Sequence, residues 1–195
     1  MTTTAIVLII IISCNSVLTY QRNKIWKDEF TLWNDAALKS PHQVRPFVYR
    51  GCARDGQGNY TQAIMDYERA IKLDPNDPVF YFDLGITYGK QGQYTKALIE
   101  YTKAIIVNPS YVAAYVNRGI IYSHFRNFKK ALEEYSEAIV IAPDFGPAYN
   151  NRYQLYYFLK EYDKAWSDVH RAEGFGYPVD PRFVIDLQKA SGRDK

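Results

Sequence analysis

Cysteine is scarce in this sequence, and so is an excess of either charge. The 195-residue chain has two cysteines, Cys14 in an apolar stretch and Cys52 in a helical pattern, which argues against an intrachain disulfide and leaves the redox compartment open. Three histidines, His42, His124 and His170, lack the spacing, with each other or with acids, that metal ligands on one helix require. No metal site and no cofactor are therefore expected. With 24 basic against 21 acidic residues and no run of like charge, nothing predicts a nucleic-acid surface. No nucleophile is paired with a base, and the glycine-rich stretch GKQGQ sits at a turn rather than at a strand–helix junction, so no catalytic residue is assigned and no enzyme activity is expected. One glycosylation sequon, Asn59-Tyr60-Thr61, lies on a turn.

Long hydrophobic runs are confined to the opening MTTTAIVLIIIISCNSVLTYQRNK, where residues 4–20 carry no charge. As a helix these seventeen residues span about 25 Å, the low end of what a bilayer core needs, and Arg22 and Lys24 mark the interface. A membrane-spanning or signal-anchor helix over residues 1–21 is the expectation, with the membrane as a partner through residues 4–20. Two alternatives stay open. A cleaved signal peptide would be short of its basic leader, since MTTT has none, and Ile11-Ile12-Ser13-Cys14 loosely resembles a lipoprotein cleavage box, which would place a lipid on Cys14. Because Arg22, Lys24 and Lys27 follow the span, charge bias alone puts the rest of the chain in the cytoplasm.

Proline and tyrosine, by contrast, are placed with regularity. Pro41, Pro75, Pro109 and Pro143 stand 34 residues apart, each ending an amphipathic stretch such as GQYTKALIEYTKAIIVNP, because a proline ring cannot continue a helix. Laid out from Val44, Pro78, Val112 and Gly146, the chain falls into units 44–77, 78–111, 112–145 and 146–179. The second carries Tyr81, Leu84, Gly85, Tyr88, Ala97, Tyr101, Ala104 and Pro109; the third carries Tyr115, Gly119, Tyr122, Ala131, Tyr135, Ala138 and Pro143. The first keeps Phe47, Gly51, Ala63, Tyr67, Ala70 and Pro75 but has Arg54 where an aromatic recurs. The fourth diverges: Tyr149, Tyr156, Ala165 and Ala172 hold, while Tyr153 replaces the glycine and Val169 the aromatic. This pattern resembles the tetratricopeptide repeat. The resemblance implies an all-α fold, a right-handed solenoid of antiparallel helix pairs preceded by one hydrophobic N-terminal helix. Small residues, Gly85 with Ala97 and Gly119 with Ala131, are expected where backbones approach, with aromatics filling the space around them. The register extends back into a half repeat, residues 22–43, through Trp26, Trp33, Ala36 and Pro41. At the other end, residues 180–195 supply a capping helix with Phe183, Val184 and Leu187 on one face, and a tail.

The junction RNKIWKDEFTLWNDAALKSP, through Arg22, Asn23, Trp26, Asp28, Glu29, Leu32, Trp33 and Pro41, also resembles the arm of transmembrane-and-tetratricopeptide O-mannosyltransferase-like proteins of the C-type glycosyltransferase group. That resemblance implies repeats on the periplasmic or lumenal side of a single-pass membrane protein, but no catalysis, since the many membrane helices and acidic loop of such enzymes are missing from this sequence.

In a tetratricopeptide solenoid the first helix of each unit lines the concave face. The corresponding positions include Phe82, Asp83, Ala113, Val116, Asn117, Ile120, His124, Asn150, Asn151, Gln154, Tyr157 and Phe158. Co-chaperone families grip a terminal carboxylate with Lys, Asn and Arg at positions where this chain has Val48, Cys52, Asp83, Ala113 and Asn117, which disfavours that function. Asp83, Asn117 and Asn151 form a row resembling the asparagine ladder of the O-linked N-acetylglucosamine transferase repeats, whose amides pair with a peptide backbone. The competing expectation is that these side chains satisfy their own helix or water. The peptide-binding groove is thus expected at Asp83, Asn117 and Asn151, over an apolar floor of Phe82, Val116, Ile120 and Tyr157, with Asn150 and Gln154 beside it. Two functions follow: a membrane-anchored scaffold that binds a protein or peptide segment in its concave face, or an accessory or detached acceptor-binding arm of a membrane glycosyltransferase.

Overall fold

Prolines and acidic caps set the limits of the helices. The computed structural model describes residues 28–193. Among them are ten helices and no strands: α1 Glu29–Lys39, α2 Val44–Gly56, α3 Tyr60–Leu73, α4 Pro78–Lys90, α5 Tyr94–Val107, α6 Val112–His124, α7 Phe128–Ile141, α8 Gly146–Phe158, α9 Tyr162–Gly174 and α10 Pro181–Ser191. Helices α3, α5 and α7 each stop two residues before Pro75, Pro109 and Pro143. The intervening Asp74, Asn108 and Ala142 are extended, the region to which the residue before a proline is driven. At the other ends, Asp28 forms a capping box with Thr31, accepting its N–H at 2.8 Å, and Asp77 and Asp180 each cap a helix that begins with proline.

The helices fall into two compact units, one ending at Pro75 and one beginning at Asn76. In the first, α1, α2 and α3 pack in chain order, with Trp33 stacked on Tyr49 at 4.4 Å between ring centroids. The alanine buried on α1 is Ala37 at 4% exposure, where the repeat register points to its neighbour Ala36. In the second, α4/α5, α6/α7 and α8/α9 form successive helix pairs, and α10 packs on α9.

The core rests on a repeated pairing of large with small. Ala63, Ala97, Ala131 and Ala165, with Ala70, Ala104, Ala138 and Ala172 two turns on, have no exposed surface. The glycines of the first helices face tyrosine rings rather than those alanines, one helical turn away from the expected partner. A Cβ placed on Gly85 would lie 2.6 Å from the Tyr101 ring, and one on Gly119 would lie 2.5 Å from that of Tyr135. Gly51 stands against Tyr67 in the same way, at 3.0 Å. In the divergent fourth repeat the two sizes trade places: Tyr153, 1% exposed, fills the glycine's position and Val169, 0% exposed, the tyrosine's. What reads in sequence as drift keeps a large residue paired with a smaller one, and it sets the Tyr153 ring against Phe183 of α10, 4.6 Å away. Val184 and Leu187 are buried in that cluster with Trp166, and Phe183 packs against it, as the amphipathic pattern of α10 predicts.

The hydrophobic segment 1–21, Cys14 and the junction residues Arg22, Asn23 and Trp26 lie outside the described residues. Among the described residues no helix is long and apolar enough to cross a membrane.

Candidate functional site

Buried charge in this fold builds a ladder that holds the repeats together. In the first unit Arg50 forks onto both oxygens of Asp66, at 2.6 and 3.0 Å, and donates to Asn34 Oδ1. Arg54, at the position where tyrosine recurs, adds a further contact to Asp66 at 2.6 Å and lies over the Phe30 ring. In the second unit Arg152 grips Asp168 through two bonds of 2.7 Å and reaches Ser136, while Arg118 donates to Glu134 at 2.8 Å and to Thr102. Arg50, Arg118 and Arg152 each bind a carboxylate sixteen residues on and a polar group sixteen residues back, so one guanidinium ties two successive helical layers. Burial pushes Glu134 above the usual carboxylate range, against the hydrogen bond and charge of Arg118. For Arg152, burial works against the charge, yet the bonds and charge of Asp168 outweigh it and the guanidinium is held more firmly protonated. The second repeat breaks the series: Leu84 stands in the arginine's place, Glu100 pairs with Lys103 at 2.8 Å, and its other oxygen is buried without a hydrogen bond.

These polar groups are committed to structure. A cavity of about 360 Å³ opens on α6, α7 and α8. Ile120, Phe128, Leu155 and Phe158 give it apolar walls; Asn151 and Gln154 supply amides; Ser123, His124, Arg126 and the Tyr135 ring complete it. Ile120 is 41% and Phe158 61% exposed, so its apolar surface is open to water. Phe128 and Phe158 pack together at 5.3 Å, closing one side.

Of the nine residues expected in the groove, the structure brings Ile120, Asn151 and Gln154 to this cavity. Asn151 spends one amide hydrogen on its own helix, donating to Pro147 O at 2.8 Å, and keeps its carbonyl and second hydrogen. Asn117 lies outside the cavity lining, half-buried, with no hydrogen bond from its side chain to the described residues. Val116 is 5% exposed and belongs to the core, facing inward with Tyr115 and Tyr135. Phe82 and Asp83 stand at a separate aromatic corner. There the Phe82 ring meets Tyr101 and Tyr111 at 5.7 and 5.2 Å, and burial, then the charges of Asp83 and Asp77, raise the Tyr111 phenol. Asn150 accepts from Tyr153 and Gln154 of its own helix, and Tyr157 packs on Phe183 of α10.

The residues that sequence reasoning left out of the site, Ser123, Arg126, Phe128 and Leu155 among them, come from the end of α6, the turn after it, the start of α7, and α8. Their signal was the turn HFRNF. At the position where the first two repeats have Gly58 and Gly92 with φ of 78° and 74°, the third has Arg126 at 58° and the fourth Lys160 at 61°. Side-chain-bearing residues in this left-handed region are strained, so both cations are held at turns built for glycine. Among the described residues no group of three or more His, Cys, Asp or Glu stands where it could hold a metal ion.

Family models for the tetratricopeptide repeat match residues 56–92 and 82–144. The matched residues are tetratricopeptide repeats. No curated protein matches the chain. Among solved structures, a crystal structure of MamA is similar over 75% of this chain and 86% of its own, with 23% identity and a TM-score of 0.67. MamA from Desulfovibrio magneticus RS-1, from residue 41 to its end, is similar over 76% and 96%, with 16% identity and a TM-score of 0.61. The first tetratricopeptide domain of Spaghetti (RPAP3), in a structure bound to the HSP90 peptide SRMEEVD, is similar over 60% and 92%, with 23% identity and a TM-score of 0.56. At these identities the likeness establishes the fold.

Proposed function

We propose that this chain is a scaffold that holds an extended segment of another protein on the face of α6–α8, tethered to a membrane through residues 4–20. The observation that carries the binding reading is the open cavity of about 360 Å³ with exposed Ile120 and Phe158 in its walls and the Asn151 and Gln154 amides beside them. An apolar recess takes a partner's side chain, and amides that both donate and accept take its backbone. The tetratricopeptide domain of RPAP3, of the same fold, binds a peptide, which supports a peptide-like ligand here. In this reading Asn151 of the asparagine row takes part together with Gln154, since both line the cavity, and Asn117 and Asp83 do not.

The tether rests on the seventeen uncharged residues 4–20, and a periplasmic or lumenal placement of the repeats rests on the junction's likeness to glycosyltransferase arms. The accessory-arm reading shares that support, through Asp28, Glu29, Leu32, Trp33 and Pro41. A multispanning glycosyltransferase lacking such an arm, encoded beside this chain, would favour it.

The binding reading is tested by purifying the full chain from its native membranes with and without Ile120→Glu and Phe158→Glu. Both positions are exposed enough to accept carboxylates without unfolding. Proteins that accompany the wild type should be missing from the double variant. The same set recovered from both would remove this face from the account.

A further inference from the structure

The cavity's charge surroundings specify its ligand further. Between Asp83 and Glu133 the chain carries seven lysines and arginines, Lys90, Lys96, Lys103, Arg118, Arg126, Lys129 and Lys130, and a single carboxylate, Glu100. Glu100 is 8% exposed and already paired with Lys103, and Arg118 is taken up by Glu134. What faces water is cationic: Lys96, Arg126, Lys129 and Lys130 are all exposed.

Arg126 is the one of these that lines the cavity, beside His124, and Lys129 and Lys130 adjoin it in sequence, following Phe128, whose ring forms a wall. The preceding turn adjoins the same edge: Tyr94 packs on His124 at 4.3 Å and on Phe125 at 6.0 Å. No acidic side chain lines the cavity. Lys96 and Lys130 are each held over a tyrosine ring, Tyr88 at 5.1 Å and Tyr122 at 5.3 Å, which fixes where their charge points.

We propose that the α6–α8 cavity takes a bulky apolar side chain from a partner segment whose neighbouring residues are carboxylates. This rests on the peptide-binding reading and adds the ligand's chemistry to it. The apolar residue fills the recess between Ile120, Leu155 and Phe158, the backbone meets Asn151 and Gln154, and the flanking carboxylates meet Arg126 and the Lys129–Lys130 pair. An apolar anchor supplies affinity, and a rim of opposite charge supplies orientation and rapid encounter. The residues involved differ from those compared with the co-chaperone grip, at Val48, Cys52, Asp83, Ala113 and Asn117, so the acidic preference arises at a different place on the repeats.

The test is selection of random dodecapeptides, displayed on phage, against the full chain held in nanodiscs containing anionic lipid. Enriched peptides should carry Asp or Glu on either side of an aromatic or branched apolar residue. Their affinity, read by fluorescence anisotropy, should fall about tenfold or more for the exposed charge reversals Arg126→Glu with Lys129→Glu, and should weaken as salt rises. Enriched peptides that are neutral or basic, or that bind the reversed chain equally well, would overturn the acidic ligand while leaving a peptide groove in place. No enrichment at all would overturn the peptide groove itself. A photo-crosslinking residue in place of Phe158 then reads the occupant by adduct mass. An adduct with the selected peptide supports the proposal, whereas one with lipid or with a second copy of the chain in the peptide's presence overturns it.

Discussion

Replacing Gly119 by alanine should destabilise the protein, although the same change in most helices does the reverse. Alanine in a helix interior is favoured over glycine by about 0.5–1 kcal/mol. At Gly119, however, the added Cβ would lie 2.5 Å from Cε1 and 2.9 Å from Cδ1 of Tyr135, and 3.2 Å from the Glu134 Cβ. The ring has no easy retreat, being 2% exposed with its hydroxyl against Ser123 at 3.4 Å. Overpacking of this kind costs about 1–3 kcal/mol, which against that gain leaves a net loss of up to about 2.5 kcal/mol. Gly89 on α4 is the internal control. Nothing lies within 4 Å of a Cβ there, so Gly89→Ala should stabilise by about 0.5–1 kcal/mol. The decisive comparison uses Tyr135→Val, which copies the valine of the fourth repeat. That change alone opens a cavity and costs about 3 kcal/mol, but it removes the obstacle, so Gly119→Ala added to it should become stabilising. Urea unfolding followed by circular dichroism measures each of these proteins. If Gly119→Ala has the same sign in the wild type and in the Tyr135→Val background, the glycine–tyrosine pairing does not govern the packing of these helices.

Three further outcomes follow from the charges and turns. Arg126→Gly and Lys160→Gly should each raise the thermal midpoint, by relief of about 1 kcal/mol of left-handed strain, and Arg126→Gly should weaken peptide binding at the same time. Glu134→Gln should cost about 1.5–3 kcal/mol by stripping Arg118 of its partner, whereas Glu100→Gln, where one carboxylate oxygen is already orphaned, should change urea stability by less than about 0.5 kcal/mol. Burial raises the phenols of Tyr101, Tyr135 and Tyr153, the last to about 12 from an ordinary value near 10. A group whose folded pKa lies above its unfolded one stabilises fully below the unfolded value. Stability should therefore fall as pH climbs from about 10 through about 12, as followed by circular dichroism across that range.

The fold was legible because its signals repeat. Four prolines in one register marked where helices had to stop, and alanines two turns apart marked the faces that close against each other. The partner of each glycine was not legible: pairing small with small pointed to Ala97 opposite Gly85, whereas the ring of Tyr101 approaches it. The arginine ladder was missed because its members, sixteen residues apart, fall on different helices and look like ordinary surface charge. Of the expected groove positions, Ile120, Asn151 and Gln154 line the α6–α8 cavity. Val116 sits one residue from a surface position, and on a helix that is enough to turn it into the core. The cavity's other walls come from the turn and facing helix, which a reading of first-helix positions does not include.

Hydrogen–deuterium exchange of the full chain, with and without a selected acidic peptide, tests the central claim most directly. Slowed exchange confined to the end of α6, the turn through Phe128, and α8 is the result predicted. Slowing in α5, or no change along α6 and α8, would contradict the assignment of this face as the binding surface.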